Sequence, residues 1–363
     1  MVDQWALRDV VLRMSEVVRH VVESIGPASR AHADAVRGRF AAANIDVLAR
    51  LAGLLGGAQH TAAPKVGRRT VVVVAGDHGA GDPGIALGAS HPTVIAAAAI
   101  ASGSAALSSM ARANRAPNVI VDAGVTEAAA MPAATIKLGR GPTRDLLREP
   151  AMTVIDATLG LEAGIALAIS LSEPGLDVLA LGALGLGSEL SAAAIAGTLH
   201  PTVGSSPDFP LVDDPVEVRA LGTAPDWSLA PERGLGTLAE PDVSRAYQQG
   251  RAWRGSALEL LAVFGGPETC VLAGLILGAA SLHVPVILDG HATGAAAVVA
   301  MRFAPDVTDY LIAAHGGAPM HAVLLTQLGL VPMFDVGLGH GEGVGAAMLM
   351  PWLDQVEAFL APR

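Results

Sequence analysis

Cysteine is almost missing: Cys270 is the single one in 363 residues. That excludes an intrachain disulfide and any zinc cluster built on thiolates. Aromatic residues reach only 3% of the chain, which argues against a β-sandwich core and for tight helix packing on a parallel sheet. Cations are outnumbered, with 23 Lys+Arg against 34 Asp+Glu, a net charge of −11 and a pI of about 5.4. A nucleic-acid surface is therefore not expected, and any basic site has to be small and deliberate. Long apolar runs are also lacking. Mean hydropathy is +0.48, yet glycine, histidine or charge breaks each stretch before about 18 residues, so no membrane span is expected. The first 18 residues (MVDQWALRDVVLRMSEVV) are amphipathic and carry acids, unlike a secretory signal. A cytoplasmic protein is expected.

What the chain does contain is glycine, 42 residues of it, and 52% hydrophobic residues. Six short apolar runs end in glycine or a polar group: Thr70–Ala75, Asn118–Val121, Asp177–Leu181, Val284–Leu288, Asp309–Ala313 and Leu330–Phe334. Alanine-rich helical stretches lie between them, at Val94–Met110, Ala157–Ser172, Ser188–Leu199, Leu272–Ala280 and Ala292–Phe303. Buried strands alternating with helices give an α/β fold, a doubly wound, mostly parallel sheet flanked by helices. Ligands of such sheets bind beyond the carboxyl ends of the strands. Residues 1–62 read as a helical cap or dimer arm, with helices at Leu7–Ser24 and Arg37–Leu55, and 63–363 as the α/β catalytic domain. A Pro-rich, acidic, aperiodic loop covers about 201–240.

Chemistry-bearing residues gather at the predicted strand ends. Asp77-His78 lies between Gly76 and Gly79 after four valines, and Asp289-Gly290-His291 repeats the pattern. Both suit a polar ligand gripped at a sheet edge. The alternatives are turn capping by the Asp77-His78 pair and an Asp289 N-cap on the following helix. Lys137 to Arg144 is a basic, glycine-containing loop in an acidic chain, either a phosphate contact through Arg140 or a solvated turn. Gly182-Ala183-Leu184-Gly185-Leu186-Gly187-Ser188 opens a helix. It either binds an anion at free N–H groups or serves close strand–helix packing. The 11 histidines show no His-Glu-x-x-His or comparable spacing, so no metal is expected. Glu342 sits in Gly341-Glu342-Gly343 after an apolar run. No neighbour in the sequence is of a kind expected to pair with it, and it reads as a working acid or base.

Together VVVVAGDHGAGDPGIA, VDAGV, GALGLGS, FGGPETCVLAGLILGAA, PVILDGHATGAAAVVA, YLIAAH and LGHGEGVGAAM, in this order from Val66 to Leu360, resemble the nicotinate-nucleotide:5,6-dimethylbenzimidazole phosphoribosyltransferases. The resemblance implies transfer of phosphoribose from nicotinate mononucleotide to a benzimidazole-type base, with inversion at C1′ and no cofactor, in a homodimer. It implies that Glu342 is the base that takes the azole proton. A carboxylate in a water-poor pocket is the better base for it. It places the acceptor base at His91, Pro92, Leu184 and His340. The nucleotide would lie against Asp77, His78, Arg140, Gly182, Gly185, Gly187, Ser188, Gly236, Arg245, Gly265, Gly266, Asp289 and His315.

The chain departs from the family pattern at both substrate ends. Ala183 replaces an acid, Ser188-Glu189 replaces Asn-Thr, and Arg245 stands where a lysine is usual. Ala314-His315-Gly316-Gly317 has lost two hydroxyls, and His91 and His340 replace a tyrosine and a leucine. A more polar acceptor pocket is expected. Two other functions suit the same residues: a silent homologue that binds a nucleotide or cobamide precursor, and a nucleotide N-glycosidase.

Overall fold

Valine alternation decides the layout of the centre. In the computed structural model the four valines 71–74 form the middle of a fully buried strand, β1 (Arg69–Gly76). Val72 and Val74 point into one core, and Val71, Val73 and Ala75 into the other, as the two-residue period of a strand requires. The structure describes residues 15–40, 45–79, 87–127, 131, 134–138, 141–198, 240–317, 319–334, 336, 338 and 341–361. Around β1 lie β2 (Asn118–Gly124), β3 (Ile136–Lys137), β4 (Val178–Leu184), β5 (Val286–Leu288) and β6 (Leu311–Ala313). All pairings are parallel, in the order β3-β2-β1-β4-β5-β6. The chain order reverses between β1 and β4, which makes their carboxyl ends the switch point where doubly wound sheets hold ligands.

Thirteen α-helices are described. They are α1 (Glu16–Ser24), α2 (Arg30–Gly38), α3 (Asp46–Ala58), α4 (Pro92–Ser102), α5 (Ala106–Ala113), α6 (Val154–Ser172) and α7 (Ser188–Gly197). The rest are α8 (Glu240–Arg251), α9 (Ala257–Phe264), α10 (Pro267–Ser281), α11 (Gly290–Phe303), α12 (Pro319–Gln327) and α13 (Val344–Leu360). Residues of α6, α7, α9, α10 and α11 fill the core on one face, and residues of α3, α4, α5 and α13 the core on the other. Arg69, buried at the start of β1, donates to the Met350 carbonyl (3.0 Å) and pairs with Asp354, which ties α13 to the sheet.

Five of the six expected strands form, with ends shifted by up to three residues. The run Leu330–Phe334 does not join the sheet as a strand; it makes one parallel bridge, Phe334 to His315. The sixth strand is β3, two residues at the head of the basic loop. Residues 92–113 form two helices because Gly103, left-handed at φ 84°, closes the first. Contrary to the broken runs expected, 92–113 and 154–172 are long and apolar enough to cross a membrane by length and composition. Each packs on the sheet: Val94, Ala97 and Ile100 enter one core, and Leu161 and Ile165 the other. The N-terminal segment forms three helices among the described residues rather than two. Val18 and Val21 of α1 join one core while Val36 of α2 and Leu51 of α3 join the other. Residues 199–239, which hold Gly236 and the expected loop except Glu240, the first residue of α8, lie outside the described residues, as do Arg140 and His340.

Candidate active site

Two polar clusters, each with a buried carboxylate and a buried histidine, line the carboxyl edge of the sheet. The first is at the switch point. Asp77 leaves β1 with its carboxylate satisfied by the protein: Oδ1 accepts from Thr93 Oγ1 (2.6 Å) and Leu186 N–H (3.0 Å), and Oδ2 from Thr126 N–H (2.8 Å). Three loops, following β1, β2 and β4, are thereby fixed to one side chain. His91, at the N-cap position of α4 before Pro92, places Nε2 3.7 Å from the same Oδ2 and is 2% exposed. Asp77→Ala leaves two buried donors, Thr93 Oγ1 and Leu186 N–H, without an acceptor, at about 1 kcal/mol or more each, while the exposed Thr126 can turn to water. A loss of at least about 2 kcal/mol in denaturant unfolding is expected.

His78 turns the other way, onto α10. Its Nε2 lies 3.0 Å from Glu268 Oε1, which also accepts from Thr269 Oγ1 (3.0 Å). Burial, the largest influence, draws the His78 pKa down. The charge of Glu268 and its hydrogen bond, with Glu189 and Asp77 behind, outweigh that burial and hold His78 above the ordinary histidine range. Gly266, the N-cap of α10, packs directly on this pair, and Gly265 precedes it.

The glycine loop after β4 connects the two clusters. Gly187 is the left-handed N-cap of α7 (φ 83°), and the Leu186 carbonyl accepts from His78 N–H (2.9 Å). Ser188, the first helical residue, places Oγ 3.0 Å from Nε2 of His291 in the first turn of α11, after β5. Leu184 is 3% exposed and belongs to the second core.

The second cluster surrounds Glu342. Gly341 accepts at its carbonyl from Ala183 N–H (2.8 Å), so the turn is stitched to the end of β4. Gly182 lies flat against the backbone of Glu342 and Gly343, and any Cβ there would strike it. Gly343 is left-handed (φ 95°) and caps α13. Glu342 is thus held half-buried, one residue ahead of the cap of a 17-residue helix. Beside it, Asp289 Oδ1 meets His315 Nε2 at 2.6 Å, and Asp289 Oδ2 accepts from Gly345 N–H at 3.1 Å.

Sequence reasoning named Asp77, His78, Gly187, Ser188, Asp289, His315 and Glu342, and the fold brings all of them to this edge. It missed Glu268, Thr93, Thr126 and Gly345. The acid of Gly266-Pro267-Glu268 in the first turn of a helix was the available signal for the first. Asp289 occupies the N-cap position of α11 but its side chain does not cap that helix. Arg245 is on α8, apart from the glycine loop in sequence, and donates to the Leu147 carbonyl (3.1 Å). Arg144, in the basic loop, donates to the Pro150 carbonyl (2.9 Å) and pairs with Glu149. A cleft of about 490 Å³ beside β2 is lined by Gly141, Thr143 and Arg144 together with Pro267 and Cys270. Among the described residues, no group of three His, Cys, Asp or Glu side chains could hold a metal ion.

An all-parallel sheet in the order 3-2-1-4-5-6 with a fixed carboxylate at its carboxyl edge defines the class: a doubly wound α/β enzyme acting on a small molecule. Residues 28–205 and 242–362 match the DBI_PRT family model, described as a phosphoribosyltransferase. The chain is 34% identical over 351 residues to the nicotinate-nucleotide–dimethylbenzimidazole phosphoribosyltransferase of Roseiflexus sp. (strain RS-1), covering 92% of each chain. It is 33% identical to that of Deinococcus radiodurans, covering 99% of this chain and 93% of the relative. The crystal structure of CobT from Thermus thermophilus superposes with a TM-score of 0.71 at 27% identity, covering 91% of this chain and 96% of that one. The chain belongs to the nicotinate-nucleotide–dimethylbenzimidazole phosphoribosyltransferase family.

Proposed function

We propose that the protein transfers phosphoribose from nicotinate mononucleotide to a benzimidazole-type base, with Glu342 as the general base. The observation that carries this reading is the Glu342 turn, fixed between β4 and the N-terminus of α13 at the sheet's carboxyl edge. One azole nitrogen attacks ribose C1′ from the face opposite nicotinate. The C1′–N bond breaks and its electron pair stays on the nicotinate nitrogen, which leaves neutral from a pyridinium. The proton on the second azole nitrogen passes to the Glu342 carboxylate, and attack from the opposite face makes the new glycosidic bond α. Without that transfer the product azole would stay cationic and would itself be a good leaving group. A fixed carboxylate removes that route back.

The switch-point cluster serves binding in this reading. With its carboxylate committed to three loops, Asp77 shapes the nucleotide site. In the same reading Ser188 and the first N–H groups of α7 meet the phosphate, as helix N-termini favour anions. Incubation with nicotinate mononucleotide and dimethylbenzimidazole is expected to give α-ribazole phosphate and free nicotinate in equal amounts. No product with that base or with a panel of azoles overturns the reading, and nicotinate released without base would make the protein a hydrolase.

A homodimer belongs to the same proposal. The outward face of α6 leaves Ile155, Leu159 and Ile169 exposed, an apolar stripe that a second copy would cover. Sedimentation as a 36.6 kDa species would overturn it.

A further inference from the structure

We infer that Asp289 and His315 are a positioning pair that sets the carboxylate of Glu342, and that neither is a contact to the nucleotide. The inference rests on the reading of Glu342 as the base.

Both side chains are fully buried, and their hydrogen bonds are spent inside the protein. His315 Nδ1 accepts from Gly317 N–H (3.2 Å), so the proton is on Nε2 and is donated to Asp289 Oδ1 (2.6 Å). A doubly protonated ring would set one N–H against the Gly317 N–H. Asp289 Oδ2 takes the N–H of Gly345 (3.1 Å), one of the N–H groups that the first turn of α13 leaves unpaired. Gly343, the N-cap of α13, supplies no side-chain cap, so a carboxylate from another strand end does that work. A negative charge at a helix N-terminus is favourable there.

The arrangement has no slack. A Cβ at residue 345 would collide with His315 Cδ2 and come within 2.6 Å of Asp289 Oδ1. Gly290 abuts Gly341 in the same way. The turn bearing Glu342 is therefore clasped by β4 through Ala183, by β5 through Asp289 and Gly290, and by β6 through His315. His315 also bridges to Phe334, the residue that leads the chain back toward the turn. Supporting contacts of this kind hold a reacting group within the fraction of an ångström that catalysis needs.

Asp289→Asn cannot satisfy this network in any orientation. If the amide oxygen faces Gly345, its NH2 faces the Nε2–H of His315. Moving that proton to Nδ1 only transfers the conflict to Gly317. In His315→Gln a donor for Asp289 is retained; in His315→Ala it is lost. The expected result for Asp289→Asn and His315→Ala is a fall of about 100-fold in kcat, the order found for a misplacement of about 1 Å. The Kd for nicotinate mononucleotide, measured by calorimetry, should stay within about 3-fold of the parent, and His315→Gln should recover most of the rate. Adding Asp289→Asn to Glu342→Gln should cost nothing more, since the pair acts only through Glu342.

A loss confined to Kd, or an undiminished kcat in both Asp289→Asn and His315→Ala, overturns the inference. So does a full further loss in the double variant. His315→Gln, the mildest change, decides the matter by its kcat against His315→Ala if Asp289→Asn does not fold. Should Glu342→Gln alone keep full activity, the base itself has been misassigned. If Glu342→Gln is inactive while Asp289→Asn is fully active, only the positioning pair fails.

Discussion

Glu342→Gln is expected to lower kcat by about 10³-fold, in the middle of the range for a positioned general base. The amide keeps the shape of the side chain and its place in the turn, and removes only the ability to take a proton. Binding of nicotinate mononucleotide should be unchanged, because nicotinate departs from the opposite side of C1′. The loss should also depend on the acceptor. A base whose attacking nitrogen carries no coupled proton, such as an N-alkylated benzimidazole, should react equally slowly with parent and variant. Steady-state rates with both acceptors measure this. Equal rates for parent and Glu342→Gln with dimethylbenzimidazole would assign the proton transfer elsewhere.

The second large effect is on stability in acid. His321 is fully enclosed on α12. Burial first, then the neighbouring His315 and His291 rings, lower its pKa from 6.5 to about 3. The fold binds the neutral ring, so its contribution is complete above about pH 6.5 and is lost as the pH falls toward 3. At roughly 1.4 kcal/mol per unit the full effect is about 5 kcal/mol, comparable with the whole stability of many domains. His321→Leu is expected to match the parent at pH 7 and to exceed it by about 3 kcal/mol at pH 4.5. Urea midpoints at the two values check this, and a parallel fall in parent and variant would refute it. His78 contributes with the opposite sign. Its pKa is raised, so its contribution is complete below 6.5 and is lost as the pH climbs through its folded value. The chain should therefore be most stable between these two histidine transitions.

The glycine-bounded ends of the apolar runs were legible because a strand that stops at a ligand needs a backbone able to turn there. That signal alone put Asp77, Asp289 and Glu342 at one edge, and the motif order from Val66 to Leu360 supplied the chemistry. What each side chain does at that edge was not legible. The acceptor for Gly345 N–H comes from a residue 56 positions earlier, and the partner of His78 is 190 positions away. No periodicity reports pairings of that kind. The packing of helices on the sheet does: it sets the first turn of α10 beside the end of β1 and the first turn of α13 beside the end of β5. Leu330–Phe334 shows the limit in the other direction. Its composition suits a strand, but it makes one bridge, because among the described residues it runs beside the end of β6 only at 333–334. The sequence by itself thus determined the α/β class, the family and the candidate base. Only the tertiary structure decided that Asp289 and His315 face each other and the last helix, because the partners of a buried polar group are chosen by which strand ends the sheet sets side by side.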